Sequence, residues 1–252
     1  MKKILVYLFF AGIHVGHASA QEKLTAKEII QKSDQIMKGI ETTKASLIIK
    51  TVRPKWTKEM QLKTWAKGTE LSMILVTSPV KDKGTVFLMK DKEVWNWMPS
   101  IERIIKMPPS MMMQNWMGTD FTNDDLVKES SIVEDYHQKV IGEKMVNGQL
   151  CYQIELIPKE DAAVVWGKIV SYIDKVNFFQ LKAEFYDEDE ELVNLMEASD
   201  IKVLGGRKLP SKLEMIPVDK EGHKTVMIYT DITFNEPIQA GFFSTQNMKK
   251  LK

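Results

Sequence analysis

The run ASLIIKTVRPKWTKEMQLKTWA, residues 45–66, decides the fold class. Ala45, Leu47, Ile49 and Thr51 alternate with Ser46, Ile48, Lys50 and Val52, and Met60, Leu62, Thr64 and Ala66 alternate with Gln61, Lys63 and Trp65. A period of two sends successive side chains to opposite faces of an extended chain, so the run predicts strands with an inner and an outer face. Similar segments recur near 70–77, 84–90, 93–98, 103–107, 151–157, 165–174, 178–186, 191–199, 201–208, 211–217 and 224–234. Turn residues punctuate them, including Val146-Asn147-Gly148, Gly205-Gly206 and the run from Asp219 to Gly222. The prediction is a mainly β protein: one large antiparallel sheet that must curl or close to hide its edges.

On the N-terminal side of this run the period is helical. Thr25 can cap a helix, Glu28 can close a capping box and Leu24 can staple onto Ile29. Ile29, Ile30, Ser33, Ile36 and Met37 follow at helical spacing, with Gly39 as the stop. The apolar face of that helix is predicted to cover the concave side or mouth of the sheet. A second interruption runs from Pro108 to about Glu129, with Pro108-Pro109 as a breaker and Thr122 to Asp125 as a helix start, and it is read as another element over the same concavity. Several strands are apolar on both faces, as where Trp95 and Trp97 stand beside Val94 and Met98. A sheet packed on one side and lining a cavity on the other requires that.

The first twenty residues join Lys2 and Lys3 to an apolar run from Ile4 to Ile13 and then to Ala18-Ser19-Ala20. This is the pattern of a secretory signal peptide, residues 1–20, and the apolar run is shorter than the roughly 18 residues that cross a bilayer. A single mature domain over residues 21–252 is predicted. Cys151 is the only cysteine, so neither an internal disulfide nor a lipid on a mature N-terminal cysteine is expected, and stability must come from a core. Loss of Lys2 and Lys3 leaves 33 basic against 34 acidic side chains, a formal charge of −1, which gives no electrostatic basis for binding nucleic acid.

Residues 94–121, VWNWMPSIERIIKMPPSMMMQNWMGTDF, are dense in Trp and Met and poor in catalytic side chains. Unbranched thioethers repack around apolar partners of varied shape, and a break in strand rhythm is a usual place for a lid. Trp95, Trp97, Met98, Met111, Met112, Met113, Trp116 and Met117 are therefore the candidate lining or lid residues for an apolar ligand. Ordinary core packing explains the same composition equally well.

No catalytic residues, metal or cofactor are predicted. His14 and His17 fall in the signal, and His137 and His223 lack neighbouring ligands at zinc spacing. No G-x-S-x-G elbow, phosphate-cradling loop or dinucleotide fingerprint occurs. Asp120, Asn123, Asp124 and Asp125 miss the calcium-loop pattern, and helix capping explains them more simply.

Together the signal, the capped first helix, the strand series, Trp95 to Pro99 as W-x-W-x-P, MGTDFTNDD at Met117 to Asp125 and GGRKLP at Gly205 to Pro210 resemble the LolA-like family of outer-membrane lipoprotein-sorting proteins. The middle motif is similar to that of the subgroup found beside exporter genes. The resemblance implies an unclosed β-barrel with a helical lid and an apolar cavity that shelters acyl chains in the periplasm. The implied partners are a lipid or an acylated protein, with an inner-membrane transporter or an outer-membrane acceptor as candidate membrane partners. One departure stands out. The main carriers hold their lid with an arginine at a turn that here reads Ala66-Lys67-Gly68-Thr69-Glu70-Leu71, leaving Arg53 and Arg103 as stand-ins. Two rival readings remain: a non-enzymatic interaction or sensor module docking a protein such as a membrane transporter, and a hydrolase working through carboxylates.

Overall fold

The computed structural model describes residues 24–38, 41–128 and 131–251. The signal peptide and the stop at Gly39 lie outside the described residues.

Helix α1 spans Ala26–Lys38. Its capping box forms as the sequence predicts: the Thr25 backbone N–H donates to Glu28 Oε2 at 2.7 Å, and the Glu28 N–H donates to Thr25 Oγ1 at 3.2 Å. Ile29 and Ile30 are fully buried, while Ile36 and Met37 are partly buried against the same core.

Thirteen strands follow. They are β1 (Thr42–Arg53), β2 (Trp56–Lys67), β3 (Leu71–Ser78), β4 (Val86–Lys90), β5 (Glu93–Met98), β6 (Arg103–Met107), β7 (Tyr136–Val146), β8 (Gln149–Pro158), β9 (Lys168–Asp174), β10 (Gln180–Tyr186), β11 (Leu192–Leu204), β12 (Arg207–Pro217) and β13 (Lys224–Phe234). They form one antiparallel sheet in the order β6-β5-β4-β3-β2-β1-β13-β12-β11-β10-β9-β8-β7. Two meanders, β1 to β6 and β7 to β13, are thus zipped along a single seam where Ile49 faces Met227 and Thr51 faces Thr225. A bulge at Ser46 and Leu47 interrupts that seam, and bulges strengthen local twist and bend. The sheet stays open, with β6 and β7 as its two ends. The fold is mainly β and curled, as the alternation demands.

Two differences from the sequence reading have physical causes. Strand β7, YHQKVIGEKMV, carries little alternation because it is an end strand largely bathed in solvent; of its residues only Tyr136 is buried. The segments near 191–199 and 201–208 are not two strands. Strand β11 runs unbroken to Leu204, and the turn comes at Gly205-Gly206. Gly205 has φ +56°, and a Cβ there would lie 2.7 Å from the Ile232 carbonyl oxygen, so only glycine fits.

The chain between β6 and β7 must travel from one end of the sheet to the other. It does so through the concave side, where Trp116, Phe121, Val127 and Val133 join Ile29, Ile30, Ile49 and Leu62 in the main core. The opposite face of β3 and β4 is also apolar: Met73, Leu75, Val86 and Leu88 are buried beneath Ile238, Phe243 and Met248 of the C-terminal segment.

Candidate functional site

Between α1, the crossover and the inner face of the sheet lies a cavity of about 340 Å³, within the usual range of small-molecule sites, about 300–1,000 Å³. Ala45, Leu47 and Ile49 of β1, Leu62 of β2, and Leu213 and Met227 of β12 and β13 supply an apolar wall. Ile36 and Met37 of α1 close one side, and Trp116, Phe121 and Leu126 of the crossover close another. Period-two alternation is what aims every second side chain of β1 and β2 into this space.

Polar side chains enter the lining from α1 and the sheet, among them Ser33, Thr64, Ser72 and Gln180, and from the lid side. Asp124, Asp125, Tyr136 and Trp166 all reach the cavity. Asp125 accepts from Trp166 Nε1 at 2.9 Å and from the Thr122 backbone N–H at 2.8 Å, while its own N–H donates to Thr122 Oγ1 at 3.1 Å. Thr122 and Asp125 therefore form a second capping box, and the turn it opens is a π-helical one, Asp124–Lys128. Burial pushes the Asp125 carboxyl above its ordinary range, against the bonds from Trp166 and Thr122, which favour its charge. The Tyr136 phenol is likewise pushed up, first by burial and then by the nearby Asp124, Asp125 and Asp135.

A second tie holds the start of the crossover. Arg53 Nη1 and Nη2 donate to Asp120 Oδ2 and Oδ1 at 2.9 and 3.0 Å, a bidentate pair, and Nη2 also donates to the Gly118 carbonyl at 3.1 Å. Thr225 Oγ1 donates to Asp120 Oδ2 at 2.7 Å and accepts the Asp120 backbone N–H at 2.8 Å. Asp120 is therefore an ion-pair partner on the sheet seam, whereas Asp125 is the cap. The stand-in Arg53 reaches the crossover. Arg103 lies on β6 with its side chain exposed. The arginine that touches α1 is a different one: Arg207 Nη1 donates to the Gln35 carbonyl at 3.3 Å, with its guanidinium 4.2 Å from the Phe234 ring centroid.

Of the eight candidate residues, Trp116 lines the cavity, fully buried with its ring 5.5 Å from that of Phe87. Met112 is buried in the main core, and Met111 and Met117 pack partly buried against it. Met113 is 65% exposed. Trp95 and Trp97 lie on the opposite face, against the C-terminal segment, and Met98 is half-buried at the end of β5. The second apolar face of β5 is thus covered by the protein's own tail. The lining residues absent from the eight, Leu47, Ile49 and Leu62, carry a sequence signal, the inner-face alternation, but nothing in it separates a cavity wall from an ordinary core face.

Comparison with known proteins bears on the same layout. A sequence family described as "-like: Uncharacterized protein" matches residues 68–250. An uncharacterized protein of Methanocaldococcus jannaschii is 25% identical over 183 residues, 72% of this chain, and the chain spans 50% of that protein's length. Among solved structures, a LolA superfamily protein from Nitrosomonas europaea superposes with a TM-score of 0.78 at 23% identity, covering 89% of this chain and 99% of that one. A DUF1329 family protein from Desulfovibrio piger superposes at 0.79 with 20% identity, covering 88% and 97%. A Vibrio parahaemolyticus domain described as outer membrane lipoprotein-sorting gives 0.79 at 20% identity, covering 89% and 98%.

Proposed function

Since this chain belongs to the LolA-like family, we propose that it is a periplasmic carrier or binding protein whose cavity shelters a lipid or the acyl chains of a lipoprotein. It is exported by cleavage of residues 1–20 and works as one domain from Gln21, without chemistry of its own. The observation that carries this reading is the cavity of about 340 Å³ walled by Leu47, Ile49, Leu62 and Met227 beneath a tied-down crossover. Burying each methylene gains about 0.8 kcal/mol, so one long acyl chain gains roughly 12 kcal/mol before ordering costs. That is enough to hold a chain away from water, and it is reversible where the lid can part. Sorting by the named Vibrio domain, and hand-off from an inner-membrane transporter to an outer-membrane acceptor, are the physiological setting such a carrier fits.

The test is uptake of a fluorescent fatty acyl probe by delipidated protein, with native mass spectrometry of the protein as purified. The expected result is a co-purified lipid mass and saturable uptake, with uptake lost in an Ile36→Asp, Leu213→Asp variant whose circular dichroism is unchanged. Wild-type protein that takes up no probe and carries no lipid would leave the protein-docking module as the better reading.

A further inference from the structure

We infer that the protein docks onto the surface of an anionic lipid bilayer through its β1–β2, β3–β4 and β5–β6 turns, a contact independent of what the cavity holds. The three turns sit side by side at one end of the sheet, because β1 to β6 pair in sequence order. Two contacts tie them together. Lys58 Nζ of β2 lies 3.0 Å from Asp82 Oδ2 of the β3–β4 turn, and a Cβ on Gly84 of that turn would lie 3.6 Å from Pro99 Cγ of the β5–β6 turn. Each turn leaves a large apolar side chain in water: Trp56 is 52% exposed, Val80 91% and Ile101 51%. These side chains are held in place. The Asp82 N–H donates to the Pro79 carbonyl at 3.0 Å, which puts Val80 and Lys81 at the apex of a turn, and the Glu102 N–H donates to the Pro99 carbonyl at 3.4 Å, which does the same for Ser100 and Ile101. The Trp56 ring centroid lies 5.8 Å from the guanidinium of Arg53, itself fixed to Asp120.

Charge and shape name the partner. Lys55, Lys81, Lys83 and Arg103 are exposed on the same turns, and none of them makes an ion pair among the described residues. Against them stands one unpaired acid, Glu102, since Asp82 is held by Lys58. The acidic run from Asp187 to Glu191 fills the β10–β11 turn at the same end, so the excess of cations belongs to the β1 to β6 side. A side chain such as Val80, with nothing of its own chain over it, gains free energy only when another body covers it. Protein partners bury apolar anchors in well-packed, desolvated pockets. Separate tips that carry apolar side chains with cations around them match a bilayer interface instead: an indole settles at headgroup level, aliphatic side chains enter the acyl boundary, and lysines reach anionic headgroups.

The test is co-sedimentation with vesicles of phosphatidylglycerol and phosphatidylcholine in equal parts, set against vesicles of phosphatidylcholine alone. Wild type is expected to partition onto the anionic vesicles about tenfold more strongly, and to come off as salt is raised. Val80→Asp with Ile101→Asp, and separately Lys81→Glu with Lys83→Glu, are each expected to weaken that binding by about tenfold. Val176→Asp, at an exposed position in the β9–β10 turn at the other end of the sheet, should leave it unchanged. In wild type, anionic vesicles should slow hydrogen exchange at amides 80 to 83 and 100 to 103 but not at 175 to 178, and that measurement decides if a variant does not fold. Equal binding to both kinds of vesicle, binding to neither, binding that survives both turn variants, or binding lost in Val176→Asp overturns the assignment. Acyl probe uptake in solution should be the same in Val80→Asp with Ile101→Asp as in wild type, so failure of docking and failure of the carrier reading are told apart.

Discussion

Asp120 is where the chain commits the crossover to the sheet. Its carboxylate takes both arms of Arg53 and the hydroxyl of Thr225, and its side chain and that of Arg53 are only 5% and 11% exposed. Removing one member of such a pair strands the other in a poor solvent, which costs about 3–5 kcal/mol, far above the 0–1 kcal/mol of a surface pair. Arg53→Met is therefore expected to lower unfolding stability in urea by about 3 kcal/mol, and Arg53→Met with Asp120→Leu to lose less than Arg53→Met alone. A loss below about 1 kcal/mol for the single variant would show that the pair behaves as if in water. Asp120 is legible in the sequence as part of MGTDFTNDD, but its role is not. Its partner lies 67 residues away, on a strand whose register only the fold supplies.

At the scale of elements, local signals translated well and long-range ones poorly. Thr25 with Glu28 predicted a capping box and one forms; the Thr122 to Asp125 helix start is likewise a box, opening a π turn. Trp95 and Trp97 show the limit. Alternation says that β5 has two apolar faces, yet only the packing of Phe243 and Met248 over one of them tells which face meets the protein's own tail. The crossover has a pH-sensitive tie in Asp125. Because burial raises its folded-state pKa, the stabilising balance is fully present below the ordinary carboxylate range and is lost as pH rises through the raised midpoint. Amides 122 to 127 are thus expected to exchange with solvent faster above that midpoint than below it, after correction for intrinsic rates. Trp166→Phe removes a bond that favours the charge, so the midpoint should move further upward in a carboxyl-detected titration. An unmoved or lowered midpoint would contradict the assignment of that bond.

For the molecule as a whole, the decisive fact is that a sheet zipped at β1 and β13 has its ends at β6 and β7, so one segment has to cross the hollow and becomes its lid. The alternation of residues 45–66 makes the curled sheet legible; it cannot say whether the inner face meets solid core or a space, because Leu47 and Leu62 look the same in either. Energetics separates the two. The space opens partly to solvent, so what it costs is the apolar wall left facing water, about 25 cal/mol for each Å² not buried. A side chain that filled it would bury that wall. Ala45, 7% exposed on the cavity wall, is the natural place to do so. Ala45→Phe is expected to raise the melting temperature of the unloaded protein by a few degrees, as cavity-filling changes of about 0.5–2 kcal/mol do. The same variant should lose the further rise that saturating acyl probe gives the wild type, since a ligand stabilises only the state that has room for it. A variant that melts lower yet still gains from the probe would mean that the chain lies elsewhere. Higher unloaded stability together with a lost response would identify the space as one kept open for its occupant at the expense of the empty fold.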